Sequence, residues 1–293
     1  MIYDCFTFFN ELELLELRLG ELSNVVDKFV LVEGTKTFRG KNKPLYFQEN
    51  KDKYPRFLDR IIHVVVDDFP ESSNPWVLEY HQRNMIARGL ANCQADDVII
   101  ISDVDEIPDP RKITEYKQTR GVKIFAQRLF YYFLNCVAIY GGKEYRCLGP
   151  VMTRYRDLTT PQAMRDLAIG IARLDSPRIP KTLRPWLFSI GLRPYALISG
   201  VRKRRRLILV ETGGWHFSFI GGVNRMVEKI EAFSHSECDT SEIKDPTRIR
   251  EAIDKGRDLF GRDLRFKCVS VDETFPSYLR NNIERFAPFI KGR

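Results

Sequence analysis

Asp103 and Asp105 stand two residues apart at the end of an apolar run, Ile99-Ile100-Ile101-Ser102, and Glu106 follows directly. Carboxylates are hard oxygen donors. Two of them leaving one strand end can share Mg²⁺ or Mn²⁺, ions usually completed by substrate phosphates. Upstream, residues 33–45 place Glu33, Thr37, Phe38, Arg39 and Lys43 after an apolar run. Phe38 can stack on a planar base, while Arg39 or Lys43 can face phosphate. Arg83, beside His81 and Asn84, precedes the Asp pair by one helix and can face the same anion.

These residues need elements to position them. Residues 2–9 read as a strand, 11–22 as a helix with leucines at 12, 15, 19 and 22, and 25–32 as a second strand. Residues 61–66 are β-branched and form a third strand. Residues 75–93 are expected to be one helix, capped by Asn74 with Pro75 at its first position. Residues 98–101 then read as the strand that delivers the Asp pair. Near-continuous apolar strands alternating with helices imply a parallel sheet covered on both faces, with ligands at the carboxyl ends of its strands. Beyond it come a long aromatic run (122–136), a turn at Tyr140-Gly141-Gly142 and a return strand (149–155). A helix (160–174) and a strand (207–210) leading into GGWHFSF (213–219) follow, with two or three amphipathic helices at the end.

Composition limits the alternatives. The 293 residues are 43% hydrophobic, 12% aromatic and 29% charged, which excludes a disordered chain. The net charge of +8 is concentrated: nine basic residues and no acidic ones lie between 176 and 210, leaving the rest close to neutral. That segment interleaves Trp186, Phe188 and Tyr195 with arginines and ends in Arg202–Arg206, a pattern suited to an anionic membrane surface. Nucleic acid is the less favoured partner. Six cysteines form no C-x-x-C pair and no dense framework, so they read as small hydrophobes in a reducing compartment. With no leader-like opening and no long uncharged apolar stretch, the expected location is cytoplasmic, peripheral at the inner face of a membrane.

TFRGKNKPL (37–45), EYHQRN (79–84), DVDEIP (103–108) and GGWHFSF (213–219) occur in the order seen in glycosyltransferase family 17, which the chain resembles from residue 1 to about 265. The resemblance implies an α/β GT-A-type nucleotide-sugar-binding fold: a mostly parallel central sheet flanked by helices, with a helical C-terminal part. It implies one domain over 1–293, with a nucleotide-binding half (1–108), an acceptor half (109–222) carrying the basic insert 176–210, and C-terminal helices (223–293). It further implies metal-dependent, inverting transfer of a sugar, GlcNAc from UDP-GlcNAc, to a glycan or lipid-linked glycan.

On that resemblance Asp103, Asp105 and His216 would hold Mn²⁺ or Mg²⁺. Glu33, Thr37, Phe38, Arg39, Lys43 and Arg83 would bind the UDP-sugar. Inversion requires a carboxylate that takes the acceptor proton. Glu211, five residues before His216, and Asp157 are the candidates. Two other readings stay open. One is a Mg²⁺-dependent phosphohydrolase of the haloacid dehalogenase type, with Asp103 as nucleophile. Its D-x-D would follow the first strand rather than the fourth. The other is a non-catalytic basic protein that binds RNA or membranes.

Overall fold

The computed structural model describes residues 1–174 and 206–292, the last four of the first stretch by backbone alone. The alternating pattern of the first hundred residues folds as β1 (Ile2–Phe8), α1 (Leu12–Leu22), β2 (Lys28–Gly34), α2 (Tyr46–Asn50), β3 (Ile61–Val66), α3 (Pro75–Asn84), α4 (Ile86–Gly89) and β4 (Val98–Asp103). Asn74 caps α3, accepting from the Trp76 amide at 3.1 Å. The expected single helix over 75–93 is instead two, interrupted at Met85 and ending at Gly89.

Strands β3, β2, β1 and β4 pair in parallel, in that order. Both faces of this half are buried. Along β4, Val98 and Ile100 pack with the α1 leucines and Phe6, while Ile99 and Ile101 join Ile86, Leu90, Met164 and Leu167 on the opposite side. Period-two alternation with two apolar faces is what a helix-covered parallel sheet requires.

The second half is β5 (Glu106–Pro108), α5 (Pro110–Tyr116), β6 (Val122–Tyr131), β7 (Cys136–Tyr140), β8 (Lys143–Glu144), β9 (Arg146–Arg154) and α6 (Pro161–Leu174). After the stretch 175–205 it continues with β10 (Leu207–Val210), β11 (Gly214–Ser218), α7 (Gly222–Ala232), α8 (Pro246–Asp254), β12 (Arg265–Cys268) and α9 (Ser277–Asn281). Strand β9 joins β4 antiparallel, β6 joins β9 antiparallel, and the path ends β7 then β12. The sheet is therefore mixed, not mostly parallel. Hairpin-length connections such as Gly141-Gly142, both at positive φ, leave no room for the crossovers that parallel pairing needs.

Between β10 and β11 the chain turns at Glu211-Thr212, and Gly214 already belongs to β11. Two further expectations are corrected. The C-terminal part is not purely helical, since β12 extends the same sheet. Cys136 and Cys268 face each other across β7 and β12 and are bonded as a disulfide, not held as thiols. A pairing across 132 residues leaves no mark in local cysteine spacing. Of the basic segment, residues 176–205 lie outside the described residues. Its last four residues are β10, a strand paired to β6 rather than part of an insert. Among the described residues, no helix is long and apolar enough to cross a membrane.

Candidate active site

At the carboxyl edge of the sheet, β1 and β4 end side by side, so Thr7 stands in register with Asp103. The turn after β4 carries Asp105, and β5 begins at Glu106. Strand β11 lies antiparallel to β5 with His216 opposite Glu106, and the Phe217 amide donates to the Asp105 carbonyl at 2.8 Å. This zipper carries a residue from more than a hundred positions downstream to the carboxylate turn. Gly214 makes it possible: at φ 128°, a Cβ there would sit 2.2 Å from the Ile107 carbonyl oxygen.

From beneath, the turn is held by Arg18 of α1, which is fully buried. Its guanidinium pairs with Asp4 through bonds of 2.7 and 2.6 Å and donates to Ser102 Oγ at 2.6 Å. It also reaches the carbonyls of Asp103 (3.0 Å), Val104 (3.3 Å) and Glu106 (2.9 Å). One planar cation thereby satisfies a buried strand carboxylate and three turn carbonyls that would otherwise be orphaned.

Above the turn opens a cavity of about 630 Å³, lined by Asp103, Asp105 and Glu106 together with residues of α3, α6, β11 and α7. Asp103 Oδ1 accepts from Thr7 Oγ1 and from Arg83, each at 3.0 Å, and its Oδ2 meets Arg165 at 3.2 Å. Burial opposes its charge, but Arg83 and Arg165 overcome that and hold its carboxyl well below the usual range. Arg165 also forks onto both oxygens of Glu106, and those carboxylates keep its guanidinium charged despite burial.

Asp105 Oδ2 accepts from Lys229 Nζ at 2.9 Å, and His216 Nε2 lies 3.8 Å from Oδ1. Lys229 and His216 lower the Asp105 carboxyl against the effect of its burial. Burial likewise weakens His216 as a base, but Cys147, whose Sγ is 3.3 Å from Nδ1, and Asp105 outweigh it and raise the imidazole.

The predicted residues divide cleanly. Asp103, Asp105, His216, Arg83, Thr37, Phe38 and Lys43 all line the cavity. Glu33 does not: it is fully buried behind the wall, accepting from the Phe47 amide at 3.0 Å, facing His63 Nε2 at 3.2 Å and Lys43 at 3.8 Å. It positions Lys43, whose ammonium burial makes less basic. Arg39 turns away to Asp239, 3.6 Å distant. Neither candidate base lines the cavity. Glu211 is exposed and paired with Arg146 at 3.3 Å, and Asp157 closes a short 3₁₀ turn after β9.

Sequence reasoning missed Thr7, Arg165 and Lys229. Thr7 could have been found as the last polar residue of a strand neighbouring β4. Arg165 and Lys229 sit on helices whose apolar stripes are legible, but nothing in one sequence says which polar residue of a helix faces a cleft.

Hard oxygen donors converge on the cavity at Asp103 and Asp105, and an ammonium already rests on Asp105. Among the described residues, no group of three or more ligating side chains is assembled. Two carboxylates facing one cavity suit a divalent cation completed by a bound phosphate.

Comparison with known sequences finds a likeness over the first part of the chain: residues 1–135 match the model of glycosyltransferase family 17, the family its motifs resemble. The match spans Thr7, Arg83, Asp103, Asp105 and Glu106, and ends before GGWHFSF, short of the expected limit near 265. Over 107 residues the chain is 34% identical to the beta-1,4-mannosyl-glycoprotein 4-beta-N-acetylglucosaminyltransferases of Homo sapiens and Rattus norvegicus, and 33% to that of Mus musculus. Those alignments cover 34% of this chain and 20% of each relative, so the chain matches about a fifth of their length.

Proposed function

We propose that the protein is an inverting, metal-dependent glycosyltransferase of GT-A type that moves a sugar from a UDP-sugar to a glycan or lipid-linked glycan. The name of the relatives favours GlcNAc as the sugar. The observation that carries this reading is the carboxylate pair at the end of central strand β4, opening into a large cavity ringed by Arg83, Arg165 and Lys229.

Asp103 and Asp105 would hold Mg²⁺ or Mn²⁺, whose chemistry is to neutralise charge on the departing nucleoside diphosphate. The chain's own residues do the rest. Arg83 and Arg165 orient Asp103 and supply fixed positive charge beside it, worth more in a half-enclosed site than in water. Phe38 and Lys43 offer a stacking face and a cation at the other wall. The acceptor proton goes to a carboxylate of the cavity, where, among the described residues, Glu11 and Glu79 lie outside the 103–106 turn. A phosphohydrolase using Asp103 as nucleophile is disfavoured because the Asp pair follows the fourth strand of the chain rather than the first.

The test is UDP release from a panel of UDP-sugars, with and without Mn²⁺. One donor is expected to turn over in a Mn²⁺-dependent way, and Asp105→Asn to lower that rate by about a hundredfold or more. Full activity in Asp105→Asn would sink the proposal.

A further inference from the structure

Lys229 pairs with Asp105, one of the two carboxylates that would hold a metal. Its Nζ lies 2.9 Å from Asp105 Oδ2 and 3.2 Å from Glu11 Oε1, and 5.6 Å from the centre of the Phe219 ring. It comes from α7, beyond the part of the chain that matches the family model. Arg165, also beyond that part, does the same for Asp103. Nearly every carboxylate oxygen that could ligate a divalent ion thus already meets a cation of this chain.

An ammonium and a divalent ion sharing one carboxylate oxygen stand only about 4 Å apart, and in a half-buried site their repulsion is weakly screened. Binding of either one therefore weakens the hold of the other. Glu11 gives the displaced ammonium only half its former partners. A nucleotide diphosphate entering the same cavity gives it a better one.

We propose that Lys229 is a resident stand-in cation. It holds Asp105 in place before the metal binds, suppresses binding of metal alone, and passes to the diphosphate when metal and nucleotide bind together. The inference rests on the glycosyltransferase reading above and adds an order to it. Metal and nucleotide must bind with positive coupling, each raising affinity for the other by the same factor.

The measurement is Mn²⁺ binding, read from the paramagnetic resonance signal of the free ion and titrated with and without UDP. In the wild-type protein UDP is expected to tighten Mn²⁺ by about tenfold or more. In Lys229→Met, Mn²⁺ alone is expected to bind about tenfold more tightly, UDP to bind more weakly, and the coupling to fall to what direct contact between metal and phosphate supplies. Lys229→Arg keeps the charge and is expected to keep the coupling. Lys229→Gln serves as a second neutral variant should methionine disturb the packing of α7.

Equal or weaker Mn²⁺ binding by both neutral variants would overturn the inference. If the wild-type protein still turned over a UDP-sugar, the glycosyltransferase reading would survive that result. A wild-type protein that bound neither Mn²⁺ nor UDP would remove both.

Discussion

Arg18 shows how one side chain can decide a site it does not enter. It is buried against Asp4 and gathers the carbonyls of residues 103, 104 and 106 into one fork. Removing only one member of such a pair leaves an uncompensated buried charge, which costs about 3–5 kcal/mol, whereas replacing both by apolar residues is close to neutral. Arg18→Leu is therefore expected to unfold in urea well below the wild type, and Asp4→Leu/Arg18→Leu to recover part of the loss, the turn carbonyls remaining without a donor. UDP-sugar turnover is expected to stay low in the double variant, since the turn carbonyls have still lost their donor. Recovery of both properties together would mean that Arg18 only balances Asp4. Its own sequence signal was slight: an arginine among leucines reads as the polar edge of an amphipathic helix.

At the scale of elements, the site depends on the zipper of β5 and β11. Thr7 and Asp103 are brought together by parallel pairing of β1 and β4, which the apolar runs predict. His216 reaches Asp105 only because β11 pairs with both β5 and β6. Gly214 is the narrow point. Gly214→Ala adds a Cβ against the Ile107 carbonyl at a φ that other residues rarely adopt, costing on the order of 1–3 kcal/mol. The expected result is a lowered melting temperature and a larger proportional loss of turnover, as Asp105 and His216 shift apart. A variant with wild-type turnover would show that the zipper is not needed to hold the turn. The elements themselves were mostly legible, including β3 at its observed bounds and α1, β4, β9 and α6 within a few residues. Their partners in the second half were not, because antiparallel β6 and the end of β9 are also buried on both faces and so read as apolar runs, like parallel strands.

The whole molecule is one continuous sheet path, from β3 at one edge to β12 at the other. Its far edge is tied by the Cys136–Cys268 disulfide, which closes a loop of more than a hundred residues and should stabilise by about 2–4 kcal/mol. Protein purified without reductant and then unfolded is expected to titrate four thiols, those of Cys5, Cys93, Cys147 and Cys238. Six would remove the cross-link. The double variant Cys136→Ser/Cys268→Ser is expected to unfold at lower urea with turnover preserved in native buffer, because β12 lies away from the Asp103 turn.

By itself the sequence determined the α/β class, the parallel half, the capped α3 and the carboxylate pair at a strand end. All of these rest on periodicity or spacing within some twenty residues, where local sterics and solvent exposure write directly into residue type. It also determined that the charge excess belongs to one segment. Tertiary structure alone decided the mixed sheet, the disulfide, the exclusion of Glu33, Glu211 and Asp157 from the cavity, and the approach of Arg165 and Lys229. Each of those is a contact between distant parts of the chain, and a charged residue on a helix looks the same in sequence whether it faces solvent or a carboxylate.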